Sequence, residues 1–404
     1  MTDLTADILI IGGGPVGGSL ACALASAGMT SLIVDRAPAE NQVAPTFDGR
    51  TTAIAQAPKK MLERIGLWDA LGEAVSPILD IRVADGRSRL FLHYDHEDVG
   101  EDALGFMIEN RHLRQAVLTA GAAQSEITYL APAEIADLSR TETGISAGLE
   151  DGRHVTAALV VGADGRQSFV REHAGLPLTQ WPYHQSGIVC TVGHEKPHHN
   201  IAHEHFYPAG PFAILPLTGN RSSIVWTESE EDAARIVALP APDFLHELEQ
   251  RYGDFMGRLE VIGPRSSYPL SLQYTKTSTA NRLALAGDSA HGLHPIAGQG
   301  LNMGLRDVAA LAEVLAEARR LGLDIGAAHV LQKYDRWRRF DNTMMLASTD
   351  GLNRLFSNDI PPVRIARDLG LAAVNRAGPL KNFFMHQAMG LTGNLPRLLK
   401  GEAL

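Results

Sequence analysis

Five glycines, Gly12, Gly13, Gly14, Gly17 and Gly18, follow directly on the apolar run 7–11, and a helical pattern covers 15–27. Gly12, Gly14 and Gly17 spell G-x-G-x-x-G, and Asp35 closes a second apolar run at 30–34. A dinucleotide needs this spacing. Gly12 permits the tight turn, Gly14 lets the backbone approach a pyrophosphate, and Gly17 lets the helix pack on the strand. The helix N-terminus then faces the anion. Asp35 is placed for the ribose hydroxyls of an adenosine, while Arg36 beside it leaves the ribose preference open. With strand, helix and acid all in place, the motif points to dinucleotide binding. It serves FAD and NAD alike.

Two further junctions repeat the plan. The run 159–161 ends in Gly162, Ala163, Asp164 and Gly165, with Ser168 and Arg171 on a following helical pattern. The run 283–286 breaks at Gly287-Asp288 and leads through a loop with Pro295, Gly298 and Gly300 to a helix from about 301. Glycines and a proline between a buried strand and a helix imply backbone that approaches something closely, or turns that need freedom and nothing more. The helix offers unpaired N–H groups and the positive end of its dipole. Asp288 can accept hydrogen bonds from hydroxyls. The segments 6–35, 159–172 and 283–317 are expected to converge on one nucleotide-binding domain.

The elements between the junctions position the remaining candidates. Arg50 lies in a polar loop, 47–54, ahead of a helix at 56–65, and faces a phosphate or caps the loop. Arg111 stands near the start of a helix read over 108–120, with Asn110 as its N-cap. A cation in a first turn opposes the dipole, so Arg111 meets a ligand, a carboxylate or solvent. Strands at 78–83 and 90–94 flank a turn at Asp85-Gly86. Strands at 187–192, 203–207, 212–216 and 222–227, with one helix at 241–252, read as an antiparallel lobe. A cleft beside such a lobe is a usual small-molecule site. The fold class is therefore α/β: a Rossmann-like domain of 1–75, 104–180 and 276–345, an inserted antiparallel-sheet lobe of 76–103 and 181–275, and C-terminal helices over 346–404. His194, His198, His199, His203 and His205 raise a metal site. No acid or cysteine completes a recognised spacing, so a solvated sheet edge is expected and no metal.

Bulk properties exclude several classes. A net charge of −10 argues against nucleic acid, whose phosphates need clustered Lys and Arg. The two cysteines, Cys22 and Cys190, are far apart and frame neither disulfide nor metal site. The start of the chain has no basic leader, and no apolar run is long enough to span a bilayer, so a cytoplasmic protein is expected. The tail 351–400 reverses the sign. Leu355, Phe356, Phe383, Phe384 and Met385 mix there with Arg354, Arg364, Arg367, Arg376, Lys381 and Arg397. Such a tail covers the nucleotide domain, or touches the inner face of a membrane or a partner protein.

The three junctions together resemble the motifs of the single-component flavoprotein aromatic hydroxylases. More narrowly, DGRTTAI at 48–54 and HPIAGQGLNMGLRD at 294–307 resemble the ubiquinone-biosynthesis hydroxylases, over nearly the whole chain. The resemblance implies FAD as cofactor and NAD(P)H as reductant. It gives Gly12, Gly14 and Gly17 to the pyrophosphate, Asp35 to the adenosine ribose, and Arg50 and Arg111 to cofactor contact. Asp164 would serve FAD and the pyridine nucleotide, and Asp288 the ribityl chain. Pro295 and the backbone of Gly298, Gly300, Leu301 and Asn302 would line the isoalloxazine. Asp35 stands where such proteins often carry Glu. The implied reaction uses O2 to hydroxylate the ring of a polyprenylated phenol, with a biosynthetic complex and a peripheral membrane contact as partners. The alternatives are a hydroxylase of a soluble aromatic acid and a non-catalytic FAD-holding subunit. No residue is assigned to phenol activation; Tyr, His and Arg within 185–226 are the candidates.

Overall fold

The computed structural model describes residues 3–44, 50–86, 88, 91–294, 298–356, 367, 370, 371 and 373–404. Its organising sheet has six strands, in the order Thr279–Ala280, Leu283–Leu285, Leu159–Gly162, Ile8–Ile11, Ser31–Val34 and Ile127–Leu130. All neighbours run parallel except the first pair. The central strands are buried on both faces, which is why they read as unbroken apolar runs. Side chains alternate. Ile8 and Ile10 meet the helices Pro15–Ala25 and Gln299–Arg320 in the main core. Leu9 and Ile11 meet Leu138, Ala147 and Val155 of a four-stranded sheet on the other face.

The lobe is an eight-stranded sheet. On one face Ile188, Phe212, Ile224 and Trp226 pack under the helices Glu230–Ala238 and Ala241–Tyr252. The opposite face turns to a three-stranded sheet containing Thr51–Ala55, where Ala202, Leu215 and Leu217 pack with Ala53 and Met107. Thr51 Oγ1 donates to Ser223 Oγ across that boundary at 2.8 Å.

Several expectations are corrected. The lobe is not wholly antiparallel, because Ile201–Tyr207 pairs in parallel with Asp80–Asp85. The segment 78–83 divides between two sheets: Val75–Ile78 joins the three-stranded one and Asp80–Asp85 the eight-stranded one. Asn110 is the first helical residue and Glu109 holds the capping position. Residues 105–109 form a strand between two neighbours, which buries Met107 and Ile108. His203 and His205 are not at a solvated edge, since Ile201–Tyr207 is interior to the sheet, while His199 is exposed in the turn before it. His194 and His198 are buried, with ring nitrogens 2.7 Å from Lys196 O and 2.8 Å from Leu217 O. His203 and His205 share one strand face, their rings stacked 6.1 Å apart.

The sequence reading missed one of the two longest described strands, Leu259–Thr275, and the full reach of the other, Leu178–His194. Prolines and glycines inside them argue against strand. The register shifts just after Pro182, which stays opposite Ser271, and again across Gly263 and Pro264, which a bulge lets escape the ladder.

The tail is divided. Met385 and Met389 are buried beside Leu104, and Arg367 is buried against Asp85 at 2.8 Å. Leu380, Phe383 and Phe384 are exposed. Among the described residues no helix is long and apolar enough to cross a membrane.

Candidate functional site

The first junction has three glycines with three different reasons. Gly12 sits at φ +102°, and a Cβ there would stand 2.4 Å from Ala163 O. Its turn therefore packs directly on the second junction. A Cβ on Gly17 would lie 1.9 Å from Gly12 O, so the helix Pro15–Ala25 closes over the turn only with glycine. A Cβ on Gly14 would meet nothing within 4 Å among the described residues. Packing does not require glycine at 14; an open cradle at the helix N-terminus does. Asp35 holds this loop: its Oδ2 accepts from Gly13 N at 2.7 Å and its Oδ1 from Ala37 N at 2.9 Å. Each oxygen keeps a second lone pair for a ribose hydroxyl. Arg36 is exposed beside it. Tyr129 donates to Gly13 O at 3.2 Å and receives Gln42 Nε2 at 3.3 Å. Neither Tyr129 nor Gln42 carries a signal in the sequence.

The second and third junctions are bound together. Ser168 caps the helix Phe169–His173. The buried Arg171 donates to Ser289 O at 3.1 Å and Arg166 O at 2.9 Å. Ser289 Oγ donates to Gly162 O at 2.6 Å. Asp164 Oδ2 accepts from Val170 N at 3.1 Å, while its Oδ1 is buried with no hydrogen-bond partner among the described residues. Burial pushes that carboxyl up. An orphaned acceptor beside Gly12 is what a donor-bearing ligand would satisfy. Asp288 is half-buried, and its carboxylate has no hydrogen bond or ion pair among the described residues.

The third junction depends on a residue that was not singled out. Asp307 accepts from Gly287 N at 2.9 Å, His291 Nε2 at 2.6 Å and Arg338 Nε at 2.7 Å. Burial alone would raise its carboxyl, but His291 and Arg338 hold it down at about 2. Arg338 continues to Asp341 at 2.7 Å and Asn342 at 2.8 Å. The turn at Gly287-Asp288 is thus anchored to two helices. Asp307 closes the string 294–307, and an acid within an apolar helical pattern was its only signal.

Gly298 takes φ +61° at the start of Gln299–Arg320, and a Cβ there would stand 3.2 Å from that of Ala53. A Cβ on Gly300 would meet nothing within 4 Å among the described residues. Asn302 is a clamp. It donates to Ala53 O at 2.8 Å and Gly298 O at 3.2 Å, and accepts from Ala55 N at 2.9 Å. Its side chain is used up, which leaves the backbone of 298–302 as the ligand-facing group. Leu301 packs on the main core. Pro295, Asp48 and Gly49 lie outside the described residues.

Arg50 and Arg111 meet at the end of the ladder Thr51–Ala55 against Gly105–Glu109, where Asn110 N donates to Arg50 O at 3.0 Å. Arg50 is exposed, its guanidinium 5.4 Å from the ring centre of Tyr268. Arg111 has found a carboxylate: its Nε is 2.9 Å from Glu109 Oε2. Glu109 also accepts from Arg221 at 3.1 Å; burial would raise its carboxyl, and the two arginines lower it.

The model for the FAD binding domain family matches residues 5–341. The chain belongs to this FAD-binding family. The ubiquinone hydroxylase UbiL of Rhodospirillum rubrum is 54% identical, with 100% of this chain and 94% of that protein covered. The 3-demethoxyubiquinol 3-hydroxylase of Escherichia coli is 35% identical over 97% of this chain and 100% of that one. Among solved structures, the p-nitrophenol 4-monooxygenase PnpA of Pseudomonas putida DLL-E4 superposes with a TM-score of 0.80 at 17% identity, covering 96% of this chain and 99% of that one. That likeness is one of fold. The flavoprotein is an FAD-dependent monooxygenase, with the NAD(P)H reductant typical of the group.

Proposed function

We propose that this flavoprotein hydroxylates the aromatic ring of a polyprenylated phenol on the route to ubiquinone, using NAD(P)H and O2. The full-length likeness to ubiquinone hydroxylases carries the reading. The convergence of three strand-to-glycine junctions on one open cradle supports it.

In this reading Gly12, Gly14 and Gly17 hold the pyrophosphate and Asp35 the adenosine ribose, with Arg36 at its rim. Asp164 offers its orphaned oxygen to the cofactor, and Asp288 binds the ribityl hydroxyls. Arg50 and Arg111 flank the cofactor, and the backbone of Gly298, Gly300, Leu301 and Asn302 lines the flavin ring. When bound and reduced, FAD would supply the O2 activation and the oxygen transfer to the ring. The protein's part is to position ring and flavin and to exclude water.

A polyprenylated phenol resides in lipid. Leu380, Phe383 and Phe384, exposed by 45%, 56% and 42% on the helix Gly378–Ala388, are apolar enough to rest on a bilayer surface. The test is to load the purified protein with FAD, supply NAD(P)H and a short-chain prenylated phenol, and weigh the product by mass spectrometry. A gain of one oxygen, coupled to NAD(P)H consumption, is expected. Oxidation of NAD(P)H with no hydroxylated product from any prenylated phenol would overturn the reading.

A further inference from the structure

Glu204 occupies an unusual place. It lies mid-strand in Ile201–Tyr207, and alternation puts it on the face shared by Ala202 and Phe206, opposite the stacked His203 and His205. Its cross-strand neighbours are Ala213 and Val83. Ala202 belongs to the apolar cluster with Ala53, Met107 and Leu217, and Ala53 carries the Asn302 clamp. Phe206 stacks on Phe356, ring centres 4.1 Å apart. Glu204 thus stands between the flavin-side cluster and the end of the helix Ala328–Phe356. Its carboxyl has no hydrogen-bond donor and no ion-pair partner among the described residues, yet the residue keeps some accessible surface. A lone carboxyl on an apolar wall is costly unless something else uses it.

We propose that Glu204 is the general base of the hydroxylation, a catalytic residue that takes the phenolic proton of the substrate. The inference rests on the functional reading above. A new O–H bond forms on Glu204 as the phenol O–H breaks, and the freed electron pair enters the ring. The ring carbon thereby gains the electron density with which it bonds the oxygen atom delivered by the flavin and O2. The hydrogen on that carbon then moves as a proton to the phenolic oxygen, restoring the aromatic ring. The proton on Glu204 leaves with the water that carries the second oxygen atom. Desolvation tunes the group for this task by lifting the carboxyl to about 7, where a base can both take and release a proton at neutral pH.

Other charged or titratable groups face the same side. Asp85 pairs with Arg367; Asp350 pairs with Arg354 and accepts from Tyr183; and the Tyr94 phenol is raised to about 12 by burial. Glu204→Gln separates Glu204 from all of them.

The experiment uses FAD-loaded protein and 2-prenylphenol, with two readouts: the pH profile of hydroxylation, and the ultraviolet difference spectrum of the bound phenol as it ionises. The wild type is expected to lose rate as pH falls through about 7. Glu204→Gln should lose about 100-fold in kcat, with no limb near that pH, and should lower the ionisation midpoint of the bound phenol, because the carboxylate that opposes a neighbouring phenolate is gone. Glu204→Asp, which keeps the acid, should recover part of the rate and the limb. If the variant and the wild type share one pH profile and one ionisation midpoint, the base is elsewhere and the inference fails while the functional reading stands. A wild-type protein that binds the phenol without hydroxylating it, or does not bind it, overturns both.

Discussion

Replacing Asp307 by Asn tests whether the third junction is held as described. The Asp307 and Arg338 side chains are 1% and 2% exposed and lie 2.7 Å apart. Asn keeps the shape, removes the charge and turns an N–H₂ group toward donors. Breaking a buried ion pair on one side costs about 3–5 kcal/mol. Arg338 would keep Asp341 and Asn342, so the lower end, about 3 kcal/mol, is expected. A domain is stable by only about 5–15 kcal/mol, so the loss is large. It is read by urea unfolding at neutral pH, with FAD retention on gel filtration as the companion assay, because Gly287 N loses its acceptor beside Asp288.

Acid gives an independent check. The folded carboxyl lies at about 2, below its ordinary 3.8. A depressed carboxyl contributes stability above the unfolded value, and that stability is lost as pH falls through the folded one. The gap between wild type and Asp307→Asn should therefore narrow by about 2 kcal/mol between roughly pH 4 and pH 2. A loss under about 1 kcal/mol with FAD retained, or a gap unchanged by acid, would refute the anchoring role.

Gly14→Ala should fold like the wild type and fail to hold FAD, since its Cβ meets no atom of the described residues but fills the cradle. Gly12→Ala, with its Cβ 2.4 Å from Ala163 O, should unfold more easily as well, and thermal melts with flavin absorbance separate the two outcomes. Asp288→Ala should weaken FAD binding by about tenfold, measured by fluorescence titration of the apoprotein, with the melting temperature of the apoprotein unmoved; lost hydrogen bonds to a charged group are of that size. Gly300→Ala should keep FAD and release more H2O2 per NAD(P)H consumed, because its Cβ meets no atom of the described residues and lies at the proposed flavin edge. Changing Phe383 and Phe384 together to Asp should abolish sedimentation with anionic vesicles and leave turnover of a short-chain soluble phenol intact.

The nucleotide-binding half was legible because its physics is local. A parallel strand buried on both faces must be an apolar run, and a tight turn ahead of a helix N-terminus must be glycine-rich, so 7–35, 159–165 and 283–288 announced themselves. Arg111 shows where such reading stops. Its type and position said that it needed a partner; Glu109, two residues before it, supplies the carboxylate, and only the fold brought Arg221 to share that carboxylate. The strands 178–194 and 259–275 stayed hidden because bulges, which are set by the neighbouring strand, absorb the residues that should have ended them. The histidine run went wrong for a related reason: whether a strand is an edge depends on which segment pairs beside it, here 80–85 from more than a hundred residues away.

The G-x-G-x-x-G motif, its acid and the string 294–307 were enough to identify a flavoprotein hydroxylase. Composition and spacing could not show that Asp307 anchors the turn at Gly287, or that one Asp164 oxygen beside Gly12 and the Glu204 carboxyl find no partner among the described residues. Each of these is a relation between residues distant in the chain. Burial and hydrogen-bond satisfaction arise only when separate segments close on one another, and they decide what an acid in the sequence can do.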